Sequence, residues 1–202
     1  MMIEETIRAV QKELGVSVDG KAGPETWNAI LQRIVSARKA ATFAPIITGP
    51  VDARSEKGIA TLLPEVRPYA RALVTKAAAA GITIKVISAL RTYKEQDALY
   101  AQGRSRPGKI VTNARGGFSN HNFGIAFDIG VFEGGSYLPE SEKYKAVGVI
   151  GSDLGLEWGG NWKNFTDAPH FQLRPAWAAG MKESEMLAAL RSRKAAGKLF
   201  YA

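Results

Sequence analysis

The segment GIAFDIGVF, residues 124–132, sets the strongest limit on how this chain can fold. Its alternation and its β-branched and aromatic residues describe a strand, with Ile125, Phe127 and Ile129 on one face and Ala126 and Asp128 on the other. The first face can fill a core. The second carries a carboxylate among small residues, which is costly to bury unless it is paired or bound to a cation. The sheet must therefore be built around a strand with one apolar and one charged side.

Helices and further strands are expected around it. LLPEVRPYARALVTKAAAAG reads as a helix ending at Gly81, and the alternating, β-branched ITIKVISAL as a strand. TYKEQDALYAQGR and KYKAVGVIGSDLGL read as helices, and PHFQL as a short closing strand. The order lacks the regular crossovers of a doubly wound sheet. It predicts an α+β domain, a small antiparallel sheet with flanking helices.

Ahead of this domain, Ile7, Val10 and Leu14, then Trp27, Ile30, Leu31 and Ile34, recur at helical spacing on either side of GVSVDGKAGPET. Two helices around a tight turn are expected, the second opened by Pro24 and Glu25. The chain is thus divided into a small all-α module (1–36), a linker (37–60), the α+β domain (61–180) and a C-terminal helical tail (181–202). The tail begins acidic and ends basic, in keeping with a helix dipole. Its Met186, Leu187 and Leu190 share one side, which suits docking on the domain; weak contact of the basic tail with an anionic envelope is the alternative.

With 202 residues, 46% of them hydrophobic, the chain can bury one ordinary core with a small satellite beside it. It has no cysteine, so a transition metal would have to be held by His, Asp or Glu. Residues 1–36 hold four basic and five acidic side chains; the totals of 27 and 19 leave 23 − 14 = +9 on the remainder. That excess suits an anionic partner such as an acidic wall polymer. No RNA-binding signature or zinc finger favours nucleic acid. The start, MMIEETIRAV, carries glutamates where a secretory signal would be basic and then apolar, so synthesis in the cytoplasm without a signal peptide is expected. A monomer is expected.

The chain contains two histidines. His121 precedes the Asp128 strand, and Gly124 permits a turn that swings it back toward the carboxylate. His170 stands at the edge of the closing strand. His121, Asp128 and His170 would supply three nitrogen or oxygen ligands and leave a fourth position for water, as catalytic zinc requires. Asp167 is a candidate base, held by the extended conformation that Pro169 imposes on Ala168. Each residue also has a plainer reading: a lone histidine in a core or on a surface, an aspartate that starts a turn.

The pattern of Ser119, His121, Gly124, Ala126 and Asp128, followed by Asp167 and His170, resembles the zinc D,D-carboxypeptidase and L-alanyl-D-glutamate endopeptidase family, which includes VanY-type enzymes and phage endolysins. The resemblance runs from about Leu62 to Leu173. It implies one zinc ion on His121, Asp128 and His170, with Asp167 as base and then acid. SALRTYKEQ is similar to the family's arginine segment, so Arg91 is implied to bind substrate and stabilise the oxyanion. Gln96, Ser119 and Trp158 are weaker candidates for substrate contact. The chain departs from the pattern where Ala89 and Leu90 replace Gly-Tyr, and where Asp167 stands in place of a more usual glutamate.

VQKELGVSVDGKAGPETWNAI resembles the helical peptidoglycan-binding module. Together the two resemblances imply a modular endolysin that cuts peptidoglycan stem peptides after release to the cell wall, most of all as an L-alanyl-D-glutamate endopeptidase. A D,D-carboxypeptidase and a non-catalytic wall-binding virion protein are the rival expectations.

Overall fold

The computed structural model describes residues 3–43, 49–163 and 165–201, with the side chains of 34–43, Ile34 among them, outside the description. The chain divides into two compact units, Met1–Pro45 and Ile46–Ala202.

The first unit is a helical hairpin of α1 (Ile3–Leu14) and α2 (Pro24–Phe43). Its organising residue is a buried glutamine. Gln11 donates through Nε2 to Asp19 Oδ1, the Lys21 carbonyl and Thr26 Oγ1, and accepts from the Gly20 N–H through Oε1. One side chain thereby satisfies the Asp-Gly turn and ties it to both helices. The expected apolar stripe is only partly realised: Trp27 and Leu31 are exposed, and Ile7, Leu14 and Ile30 are half-buried.

The second unit is an antiparallel sheet with helices packed on it. It comprises α3 (Ala53–Ile59), α4 (Arg67–Ala79), β1 (Thr83–Ser88), α5 (Tyr93–Ala101), β2 (Ala126–Glu133), β3 (Ser136–Leu138), α6 (Lys143–Asp153), β4 (Glu157–Trp158), β5 (His170–Gln172) and α7 (Glu183–Ala195). The strand order is β1-β2-β5-β4, with β3 forming a hairpin on β2. As the alternation of residues 124–132 requires, β2 is central. Phe127 pairs with Phe171 on β5 and their rings stack at 6.0 Å, on the face that packs with Leu73, Ile84, Val86 and Ile129. Full burial of each such side chain contributes about 1.5–3 kcal/mol.

The linker expected over 37–60 is shorter than its composition suggested. Residues 37–43 continue α2, and 44–48 lie outside the described residues. Residues 53–59 form α3, whose Ile59 is in the core. Asp52 caps α3 by accepting from the Ser55 N–H, and the buried Ser55 hydroxyl accepts the Val86 N–H on the edge strand β1. That covers an edge donor which would otherwise stay exposed. Glu56 on α3 accepts two bonds from Arg71 on α4, at 2.8 and 2.7 Å, and the Val51 N–H.

In the tail, Met186, Leu187 and Leu190 of α7 are buried against Phe123, Ile125 and Ala178. This is the docking arrangement expected from their shared side of the helix. Among the described residues no helix is long and apolar enough to cross a membrane.

Candidate active site

Three polar side chains meet on the charged side of β2. Asp128 is the cross-strand neighbour of His170 on β5 and is flanked on its other side by Ser88 of β1. His121 sits in a single 3-10 turn, Asn120–Phe123, which ends at Gly124 with φ of 67°. Glycine adopts that left-handed conformation without the Cβ strain of other residues, and the reversal places the turn over the start of β2. His121 Nε2 lies 3.1 Å from Asp128 Oδ1, His170 Nδ1 lies 3.3 Å from the same oxygen, and the two nitrogens are 3.3 Å apart. Both imidazoles are buried.

Their outer nitrogens fix the tautomers. His121 Nδ1 is 2.7 Å from the Ala89 carbonyl, which can only accept, so Nδ1 carries the proton and Nε2 keeps its lone pair. His170 Nε2 is 2.9 Å from Gln172 Oε1, so its lone pair is on Nδ1. Two imidazole lone pairs and a carboxylate oxygen thus converge at mutual separations of 3.1–3.3 Å. A tetrahedral ion about 2.0–2.1 Å from each ligand would set them about 3.4 Å apart. The donor set and its spacing fit a metal ion, and the three residues form such a cluster.

Burial pushes the Asp128 carboxyl up, but the adjacent His121 and His170 outweigh it and hold it well below the usual carboxylate range. Burial alone would lower His170; its contact with Asp128 raises it instead. Asp167 precedes β5 and is anchored by its N–H to the Gly159 carbonyl, while its own carbonyl accepts the His170 N–H. Burial pushes its carboxyl above the ordinary value, with the Asp128 charge adding to the rise. The rise favours a group that can hold a proton and release it, the property required of a general acid–base.

These groups line a cleft of about 560 Å³ that also includes Arg91 and Ser119 and is walled by Phe118, Trp162 and Phe165. Arg91 borders it but is already engaged: its guanidinium donates to Ser88 Oγ, Gln96 Oε1 and Asp128 Oδ2. Two expected substrate contacts lie elsewhere. Gln96 is fully buried, and its amide nitrogen is used by Thr112 Oγ1 and the Ala114 carbonyl, so it braces Arg91 and the 112–114 loop. Trp158 packs against the core and donates its indole N–H to the Ala168 carbonyl, beside a separate hollow. The second tryptophan of the LEWGGNW segment, which the sequence did not single out, borders the cleft instead of Trp158: the Trp162 ring lies 4.8 Å from that of His170. The sequence reading missed Gln172, although strand alternation puts it on the same face as His170.

His121, Asp128 and His170 at the base of the cleft, with Asp167 lining it as well, could hold one metal ion, the donor set of a metal-dependent hydrolase. The chain is similar to several known proteins. Residues 112–173 match a family model described as D-alanyl-D-alanine carboxypeptidase, and residues 2–30 match one described as a peptidoglycan binding domain. The Bacillus subtilis (strain 168) peptidoglycan L-alanyl-D-glutamate endopeptidase CwlK is 42% identical over 124 residues, covering 56% of this chain and 74% of that protein. The L-alanyl-D-glutamate peptidase of Listeria phage A118 is 30% identical over 124 residues, covering 59% of this chain and 40% of that one. A solved structure, the Serratia marcescens L-Ala D-Glu endopeptidase ChiX, aligns with a TM-score of 0.45 at 23% identity, over 64% of this chain and 92% of that one. The chain belongs to this carboxypeptidase and endopeptidase family of metallopeptidases, and it carries a peptidoglycan-binding module at its N-terminal end.

Proposed function

We propose that the chain is a zinc-dependent endopeptidase that hydrolyses the L-alanyl-D-glutamate bond of peptidoglycan stem peptides, as a modular wall lysin. The observation that carries this reading is the convergence of three lone pairs, from His121, Asp128 and His170, at tetrahedral ligand spacing. The similarity to CwlK supports the choice of bond.

His121 Nε2, Asp128 Oδ1 and His170 Nδ1 would hold the zinc. When bound, zinc supplies Lewis acidity toward a peptide carbonyl and toward water. Asp167 takes a proton from the attacking water on its carboxylate and returns it to the nitrogen of the departing D-glutamate. Arg91, held by Ser88 and Gln96, keeps a fixed positive charge at the cleft edge, where negative charge develops on the carbonyl oxygen. Trp162 and Phe118 supply apolar walls that hold the stem and displace water. The N-terminal module keeps the enzyme on its insoluble substrate and so raises the local concentration of each.

Mass spectrometry of purified peptidoglycan after digestion tests the reading. Stem peptides with a new D-glutamate amino terminus, lost on chelation and regained with zinc, are the expected products. Free D-alanine with intact stems would mean a carboxypeptidase, and no released product would leave a wall-binding protein.

A further inference from the structure

A polar network runs from the C-terminal helix to one of the site histidines. Gln172 is fully buried two residues beyond His170. Its amide nitrogen lies 2.6 Å from Glu157 Oε2 and 3.5 Å from Glu183 Oε1. Arg174 holds both carboxylates, reaching Glu157 through Nε and Glu183 through Nη2 at 2.7 Å. A carboxylate paired with a guanidinium only accepts, so the NH2 of Gln172 must face the two glutamates. Its Oε1 then faces the other way, toward His170 Nε2 at 2.9 Å and Asn120 Nδ2, which also donates to Glu183. The amide cannot flip without setting its oxygen against two carboxylates and its NH2 against the donors of His170 and Asn120.

Glu183 is the first residue of α7, and α7 is fixed to the domain by Met186, Leu187 and Leu190. We propose that Glu183 is a positioning residue: acting through Gln172, it locks His170 in the tautomer that leaves Nδ1 free, and so sets the affinity of the site for its metal. The C-terminal helix thereby becomes part of the support of the metal site. The proposal rests on the metal-site reading given above.

The test uses the full chain, stripped of metal and titrated with Co²⁺. The readouts are the visible absorption of the bound ion, the Kd from competition with a chelator, and the melting temperature of the metal-free protein. Gln172→Met keeps the length of the side chain but removes the acceptor, and it is expected to raise Kd about 10- to 100-fold, the usual cost of losing an outer partner of a metal ligand. Glu183→Ala is expected to raise it several-fold with a changed absorption spectrum, and Glu183→Gln to act in the same direction but less. Leu190→Ala is the control: it loosens the packing of α7 without touching the network, and should lower the melting temperature while leaving Kd unchanged.

Wild-type Kd and spectrum in both Gln172→Met and Glu183→Ala would overturn the proposal. So would a loss of affinity in Leu190→Ala as large as in Glu183→Ala, because packing alone would then explain it. Should Gln172→Met or Glu183→Ala fail to fold, Glu183→Gln decides, and an unchanged Kd there counts against the proposal. Failure of the wild-type chain to bind one Co²⁺ would instead bring down the metal-site reading, before any substitution is made.

Discussion

Asp128 and His170 face each other across the paired strands β2 and β5, with Asp128 Oδ1 3.3 Å from His170 Nδ1. Strand pairing thus brings together two residues 42 positions apart in the chain, and the His121 turn completes the cluster. If the three groups hold an ion together, removing one charge should release it. Asp128→Asn keeps the size of the side chain and removes its charge. It is expected to reduce bound zinc from one per chain to well below one, by elemental analysis after dialysis, and to abolish peptidoglycan hydrolysis. Full zinc occupancy in this variant would disprove the assignment.

The acid–base role proposed for Asp167 sets it apart from the three ligand residues. Asp167→Asn is expected to retain one zinc per chain while the rate of wall hydrolysis falls about 10²- to 10⁴-fold, the range for loss of a general acid–base. Turbidity of a wall suspension follows the rate and elemental analysis the metal. Unchanged lysis would remove Asp167 from the mechanism.

Gly159 marks a close approach of two backbone segments. A Cβ at this position would lie 2.6 Å from the Asp167 carbonyl oxygen and 3.0 Å from His170 Cβ. Gly159→Ala must therefore push Asp167 and His170 away together. A loss of about 1–3 kcal/mol in stability is expected from overpacking, measured by denaturant unfolding, with weaker zinc binding alongside. Normal zinc affinity in the variant would show that the segment yields elsewhere.

The Glu56–Arg71 pair predicts a pH dependence of stability away from the site. Arg71, with the Val51 N–H, lowers the Glu56 pKa from its ordinary 4.5 to about 2. A lowered folded-state pKa means that the unfolded chain takes up protons first. The contribution is therefore complete above about pH 4.5 and is lost as pH falls through about 2. Because the pair is partly solvated, its size is on the order of 1 kcal/mol. The difference in melting temperature between wild type and Glu56→Gln should be constant from pH 5 to 7 and shrink toward zero near pH 2. A difference that persists at pH 2 would assign the effect to packing.

Much of this was legible before folding, for a physical reason. The period-2 pattern of residues 124–132 is local, so β2, its two faces and the placement of Asp128 could be read directly. Scarcity helped as well: with two histidines and no cysteine, few ligand sets were available. The α3 helix was missed because seven residues, rich in charge and containing a glycine, carry little periodicity. Its stability comes from Ile59 in the core and from Ser55 on the edge of β1, both contacts distant in sequence. Gln96 and Trp158 were misplaced for a related reason. Sequence gives the residue type but not the direction of the side chain, and glutamine serves buried bracing as well as substrate contact.

The amino-acid sequence by itself determined the α+β character of the larger unit, the helical hairpin ahead of it and the identity of the three ligand-capable residues, because periodicity and turn chemistry act over a few neighbouring positions. Tertiary structure alone decided which nitrogen of each imidazole faces inward, that Trp162 rather than Trp158 borders the cleft, and that Glu183 reaches Gln172 from the last helix. Those outcomes depend on hydrogen-bond partners such as the Ala89 carbonyl and Gln172 Oε1, whose positions are set only when strands and helices remote in the chain pack together.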